Sequence, residues 1–293
     1  VPAGTARYVT IPAGDGTVVA RVRRNGGRII RSRLLPGTFT IPAVAYDGSS
    51  GGLSADGRTL VLITPRTMFP RARTTLLVLG ARGLSTRATI RLRGDFSFDA
   101  ISPRGRLAYL IEYNNPRDPT RYLVRAYDLA RGRLLHAPVV DPHERGEKMR
   151  GNPLSRAISP DGRWAYTLYD GAGGTPFVHA LDTSGRTARC IDLDALAGDG
   201  GYLWRLRLGV SRNGRTLTVR DGKERELLVD TRTFKTSKPA ATAAAAGSES
   251  DGLRWPVAAM GALGAAVAAG VLLTLGVRRR AGRSPSAWRG RSA

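Results

Sequence analysis

Cysteine is almost absent from this chain of 293 residues: Cys190 stands alone, which excludes an intramolecular disulfide and any Cys-based metal site. Lying in TARCIDL, a strand-like run, Cys190 reads as a small buried hydrophobe. Lysine is scarce too. Only Lys148, Lys223, Lys235 and Lys238 occur among the 46 basic residues, and arginine supplies the rest. Acidic residues number 23, so the formal net charge is +23. Such a bias, beside many alanines and glycines, fits either a GC-rich genome or selection for an anionic partner. Long-range attraction to polyanions follows in both cases.

Chemical signatures are missing as well. The sequence holds no P-loop, G-x-S-x-G, H-E-x-x-H or dinucleotide fingerprint, and no N-x-[ST] sequon. There are three histidines. His136 and His179 fall in strand-like runs and read as packed or edge residues. His143, in DPHERGE beside Asp141, Glu144 and Glu147, is the one with acidic neighbours, and a metal or acid–base role attaches to it alone. Asp192, Asp194 and Asp199 lack the alternating oxygen spacing of a calcium loop. No catalytic residue, no metal ligand set and no cofactor is assigned.

Long apolar runs are also few, and one stands out. From Trp255 to Val277 the chain reads WPVAAMGALGAAVAAGVLLTLGV, without a charge. At ~1.5 Å per residue such a helix spans about 34 Å, enough for a hydrocarbon core of ~30 Å. RRRAGR follows, and the tail to Ala293 carries six arginines and no acid. Glu249 and Asp251 offset Arg254 on the other flank, so the positive-inside rule puts the tail in the cytoplasm and the N-terminal part outside. The expected organisation is an ectodomain over 1–236, a flexible Ala/Ser/Gly stalk over 237–254, a single transmembrane helix over 255–277 and an Arg-rich tail over 278–293 in the plasma membrane. The chain opens on Val1 rather than Met, and a preceding N-terminal piece is expected.

What is abundant is repetition. GLSADGRTLVL (52–62), AISPRGRLAYL (100–110), AISPDGRWAYTL (157–168) and GVSRNGRTLTV (209–219) share Gly57, Gly105, Gly162 and Gly214. An apolar run ending in Asp follows: LVRAYDLARG with Asp128, FVHALDTSG with Asp182 and ELLVDTRTF with Asp230. LLVLGARG is a degenerate copy, and VVARVRRNGG reads as the same element of an earlier, incomplete unit. Each unit reads as four short strands; in the third they are LSRAIS, WAYTLY, FVHALD and ARCIDL. The Ser-Pro-Asp-Gly string between the first two has turn chemistry. Its Asp slot also accepts Arg104 and Asn213, so the string is a hairpin turn and no catalytic carboxylate sits there.

The S-x-D-G-R-x-x-Y pattern, followed by a strand ending V-x-D-x-x-x-G, is similar to WD-repeat-like and YVTN-type bacterial β-propellers of the TolB-like class. The resemblance covers most of residues 10–236. It implies an all-β fold, a β-propeller of about five four-stranded blades with the first incomplete, and specifies no function, since these families include lactonases, lyases, docking proteins and pure binding domains. An all-β sandwich is the alternative, but it does not explain the repeats.

In an up-and-down blade the S-x-D-G and D-x-x-x-G turns share one face, and the long connections lie on the other. That long-loop face is the expected binding surface, with Arg66, Phe69, Arg71, Arg73, Tyr113, Arg117, Arg121, His143, Arg145, Arg150, Tyr202 and Trp204 as candidates. Guanidinium groups suit carboxylate or phosphate. The expected function is a non-enzymatic cell-surface module binding a protein or an anionic envelope partner, with no nucleic acid. The alternative is an extracytoplasmic hydrolase or lyase, lactonase-like, with a divalent metal near the central channel.

Overall fold

Strand-forming residues between glycine turns build this fold, and the chain pairs each strand with the next. A computed structural model describes residues 2–144, 149–198 and 200–240. The chain divides into Val1–Ala241 and Thr242–Ala293, and the described residues belong to the first unit.

Five antiparallel sheets follow one another, four of them four-stranded and one three-stranded. The first comprises β1 (Pro2–Ala3), β2 (Ala6–Ala13), β3 (Gly16–Arg23) and β4 (Ile29–Pro36). The second holds β5 (Thr59–Ile63), β6 (Arg73–Gly80) and β7 (Ser85–Arg93). The third holds β8 (Asp95–Ile101), β9 (Leu107–Tyr113), β10 (Leu123–Asp128) and β11 (Arg133–Val139). In the fourth, β12 (Pro153–Ile158), β13 (Trp164–Tyr169), β14 (Phe177–Asp182) and β15 (Thr187–Asp192) match the four runs read in the third sequence unit. The fifth holds β16 (Leu206–Val210), β17 (Thr216–Asp221), β18 (Glu224–Asp230) and β19 (Thr236–Ser237). Every pairing within a sheet joins neighbours in sequence, so each sheet is a meander.

The sequence reading makes the N-terminal unit the incomplete one, and the structure corrects this. The first sheet has four strands, its β1 only two residues long, while the second sheet lacks a regular first strand. In its place runs a Gly-rich segment whose strand-like pairing with β5 is confined to the isolated bridges Thr40↔Ile63 and Leu53↔Leu60. Glycine is needed there: Gly52 has φ +93, and a Cβ would meet the Val61 carbonyl oxygen at 2.4 Å.

Strand alternation explains the packing between sheets. In the second sheet Leu60, Leu62, Leu77 and Leu79 pack on Tyr8, Val19 and Leu35 of the first. Val61, Leu76 and Val78 point the other way, onto Phe96, Phe98 and Leu110 of the third. Tyr109, Ile111 and Val124 then meet Tyr169, Phe177 and Leu181 of the fourth. Leu154, Tyr166, Leu168 and Val178 meet Leu217, Val219, Leu227 and Val229 of the fifth. The middle sheets are thus apolar on both faces, as β5, buried at all five positions, shows. Each such side chain contributes about 1.5–3 kcal/mol on burial. Among the described residues each core cluster joins consecutive sheets, and none joins the fifth to the first.

The first strands of the third, fourth and fifth sheets meet one another. Leu208 N on β16 donates to Ser155 Oγ on β12, and Arg156 on β12 pairs with Asp99 on β8, both side chains buried. The segment 42–51 reaches the same strands. Tyr46 N and Asp47 N donate to the Pro153 and Leu154 carbonyls at 2.9 and 3.1 Å. No helix among the described residues is long and apolar enough to cross a membrane. The stalk, the apolar run over 255–277 and the basic tail lie outside the described residues, apart from the first stalk positions, 237–240.

Candidate functional site: an arginine-lined groove on the short-turn face

The repeated turns are built by one serine and one glycine. Thr59, Leu107, Trp164 and Thr216 each donate a backbone N–H to the serine five positions earlier, Ser54, Ser102, Ser159 or Ser211, at 3.0, 2.9, 2.8 and 3.0 Å in turn. Gly57, Gly105, Gly162 and Gly214 all have φ between +65 and +72, so the turn needs glycine. Where an acid or amide follows, the serine hydroxyl donates to it: to Asp56 at 2.6 Å, Asp161 at 2.5 Å and Asn213 at 2.7 Å. The Ser159 hydroxyl is the main cause holding the Asp161 carboxyl below the usual carboxylate range. In the third-sheet copy Arg104 replaces the acid, and the turn still forms.

The second signature is a matching turn. Asp182 accepts the Ser184 and Gly185 amides at 3.0 and 2.9 Å, and Arg163 grips its two oxygens at 3.0 and 2.5 Å. Burial works to raise the Asp182 carboxyl, but this grip and the amides outweigh it and lower it. Arg163 belongs to the first turn and Asp182 to the third, so both turn types do share one face.

Where the turns of the third and fourth sheets meet, they enclose a groove of about 950 Å³. Its walls include Arg104, Arg106, Arg131, Arg133, Arg163 and Arg186 against the carboxylates of Asp128 and Asp161. Arg131 is held by Asp128 at 2.9 Å and Arg163 by Asp182. Arg104, Arg106, Arg133 and Arg186 make no ion pair or side-chain hydrogen bond among the described residues, and all four are exposed. The groove therefore presents unspent guanidinium donors beside a floor formed by Leu107, Ala130 and Leu135.

The long-loop face is different: most of its expected binding groups are spent internally. Arg66 reaches Asp95 Oδ1 through Nε at 3.1 Å and Nη2 at 2.8 Å, and lies 4.4 Å from the Tyr113 ring centre. Arg71 donates to the same oxygen at 3.1 Å and to the Thr64 carbonyl at 2.7 Å. Phe69 stands edge-on to Tyr113 at 5.6 Å. Together they clasp the 64–73 loop onto β8 around a buried carboxylate. Arg121 pairs with Asp118 at 3.2 Å, and Arg150 donates to the Gly171 and Ala172 carbonyls at 3.2 and 3.1 Å. Tyr202 is half-buried under Arg205, its hydroxyl pushed up to about 12 by burial and by Glu226. Trp204 packs on Tyr46 at 5.3 Å, both rings substantially exposed. Arg73 and Arg117 are exposed and without a side-chain partner among the described residues. Arg145 lies outside the described residues.

His143 is exposed, its Nδ1 3.0 Å from Asp141 Oδ1. Its acidic neighbours lead to a group the sequence did not disclose. Asp141, Glu144 and Cys190 each offer a ligand atom within 4.8 Å of the others. The exclusion of a cysteine-based metal site considered cysteines alone, and the fold sets this one beside two carboxylates. The groove arginines were missed for another reason: they sit in or beside short turns, which read as hairpin scaffold. Arg104 carried a signal, as the copy that departs from the turn pattern.

No protein-family model matches the sequence, and no curated protein matches it. Solved structures similar in shape include the hydrazine synthase of Kuenenia stuttgartiensis, with TM-score 0.42, 15% identity, 78% of this chain covered and 74% of that one. TolB from Acinetobacter baumannii has TM-score 0.38 and 14% identity, over 80% of this chain and 56% of its own. The Cps50 (Swd1) β-propeller domain of Myceliophteria thermophila has TM-score 0.42 and 10% identity, over 79% and 73%. At such TM-scores these likenesses carry no argument, and the fold assignment rests on the chain's own sheets.

Proposed function

We propose that this protein is a non-enzymatic binding module of the β-propeller type, five blades in number, that captures an anionic partner in the arginine groove. One observation carries the reading: four guanidinium groups without an internal partner converge on a groove between two sheets. On the long-loop face Asp95 takes up Arg66 and Arg71, and in the groove Asp128 and Asp182 take up Arg131 and Arg163, which leaves these four without an acid. The partner's chemistry follows from the donors, namely carboxylates or phosphates repeated along a chain. A protein with an acidic segment and an anionic envelope polymer both qualify.

The reading extends to location. An uncharged run over 255–277 followed by arginines supports a single-pass anchor, with the sheets outside the plasma membrane and the tail in the cytoplasm. Protease added to intact cells should then remove the 1–236 region and spare the tail. Digestion of the tail alone would reverse the orientation.

The competing reading, a hydrolase or lyase with a metal near the central channel, finds less support. Where the first strands β8 and β12 meet, the Asp99–Arg156 pair and the 42–51 segment fill the space such a metal would need. The group Asp141, Glu144 and Cys190 sits at the outer edge, between the end of β11 and β15. The test of the binding reading is the affinity of the full chain for a model polyanion such as poly-L-glutamate. Arg104→Gln with Arg133→Gln should weaken it at least ~10-fold, a charge-assisted hydrogen bond contributing about 1.5–3 kcal/mol. Unchanged affinity would sink the reading.

A further inference from the structure

β11 ends at Val139, and the chain that follows it is drawn against the outermost strand of the fourth sheet. Ala188 N donates to the Val140 carbonyl, and Cys190 N donates to Asp141 Oδ2 at 2.9 Å. Asp141 is buried to 5% exposure, with its second oxygen on the His143 amide at 2.9 Å. Burial works to raise its carboxyl, but these amides and His143 outweigh it and hold Asp141 in the charged form.

Across the strand pair, His179 is the direct partner of Cys190, and alternation puts both side chains on the face toward the third sheet. His179 is 2% exposed and makes no hydrogen bond among the described residues; its ring stands edge-on to the Tyr169 ring at 6.4 Å. It lines, with Asp141, Glu144, Met149 and Cys190, a cavity of about 20 Å³. A site of at least ~10–15 Å³ holds one water or one ion. Burial pushes the imidazole down to about 4, so it is neutral, with a lone pair to offer.

The electrostatics of this corner run against the rest of the molecule. In a chain of net charge +23, Glu144, Asp192 and Asp194 gather close enough that, after burial, their mutual repulsion raises the Asp192 carboxyl. Arg189 offsets part of this, its Nε 3.7 Å from Asp141 Oδ2 and its other end on His143.

We propose that Asp141, Glu144 and Cys190 bind a thiolate-seeking divalent cation, Zn²⁺ being the type, with the imidazole of His179 completing the set. One sulfur, one imidazole nitrogen and carboxylate oxygens are a donor set that tetrahedral zinc accepts, and calcium or magnesium does not prefer. Four protein ligands leave no position for substrate. The ion therefore fastens the link between the third and fourth sheets and takes no part in catalysis, and the anionic-groove reading does not depend on it.

A chain with a single cysteine makes the test unambiguous. The full chain, stripped with chelator, is titrated with Co²⁺ and followed by absorption. The expected result is one equivalent bound, with tetrahedral d–d bands and a thiolate-to-cobalt charge-transfer band. Cys190→Ser should abolish the charge-transfer band while keeping the metal-free unfolding midpoint. His179→Gln should keep that band and weaken binding at least ~10-fold, as loss of a ligand does. On the unmodified protein, Zn²⁺ should slow alkylation of Cys190 in proportion to occupancy. Cobalt uptake without a thiolate band, equal uptake by the Cys190→Ser variant, or alkylation indifferent to Zn²⁺ would each overturn the proposal.

Discussion

Asp99 and Arg156 show what a single buried pair does in this fold. The side chains are 3% and 4% exposed, and the Arg156 guanidinium also donates to the Asp99 carbonyl at 3.1 Å, so the pair joins β8 to β12. Removing one member leaves the other charge buried, at a cost of about 3–5 kcal/mol. Asp99→Asn should lower the unfolding free energy read from denaturant melts by that amount, and a second change, Arg156→Met, should recover a large part of it. A second residue-scale prediction concerns acid. Asp182 has a carboxyl lowered by Arg163 and by the turn amides against burial, so the folded state binds its proton more weakly than the unfolded state. Its contribution is present above the unfolded value, near ~3.9, and is lost as pH falls through the lower folded value. Asp182→Asn should therefore be less stable than the parent at pH 6, and the gap should close toward pH 2 in a pH series of unfolding midpoints.

At the scale of elements, the turn glycines are alike in conformation and unlike in surroundings. Gly57 and Gly162 have φ +65 and +72, but a Cβ at Gly57 meets nothing, whereas at Gly162 it would stand 2.4 Å from the Ala55 Cβ. Gly57→Ala should cost about 1–2 kcal/mol, the left-handed backbone penalty alone. Gly162→Ala should cost clearly more, by at least ~1 kcal/mol of overpacking. Equal losses in denaturant melts would refute the packing between these turns. The same elements show what a sequence discloses. WAYTLY and FVHALD are bounded by turns and rich in strand formers, and they appear as β13 and β14 residue for residue. The irregular first edge of the second sheet was hidden, because GTFTIPAVAYDGSSGGLS has no alternation to set a register against β5, and its Asp47-Gly48 turn folds the stretch on itself, Ala43 bridging to Ser50. Cys190 illustrates a third case. Its run reads correctly as strand β15, but its neighbours Asp141 and Glu144 come from a different sheet's end, and no spacing announces that meeting.

At the scale of the whole molecule, the repeats group the short turns, Arg163 of one turn type holding Asp182 of the other, and the proposed binding groove lies among these turns. Two sheets meeting at an angle leave a groove between their turns, and its arginines come from four separate stretches of chain. Charge alone could not locate it, since arginine is spread along the sequence. The account's central claim is that the groove, and not the long-loop face, holds the anion. Its most direct test is poly-L-glutamate affinity over a sodium chloride series for three full-length proteins: the parent, the groove variant Arg104→Gln/Arg133→Gln, and the long-loop variant Arg73→Gln/Arg117→Gln. Both variants lose the same charge, so general attraction to the basic protein falls equally in each. The account predicts a loss of at least ~10-fold and a flatter salt dependence for the groove variant, with the long-loop variant within ~2-fold of the parent. Equal losses in the two variants, or a larger loss in the long-loop variant, would contradict it.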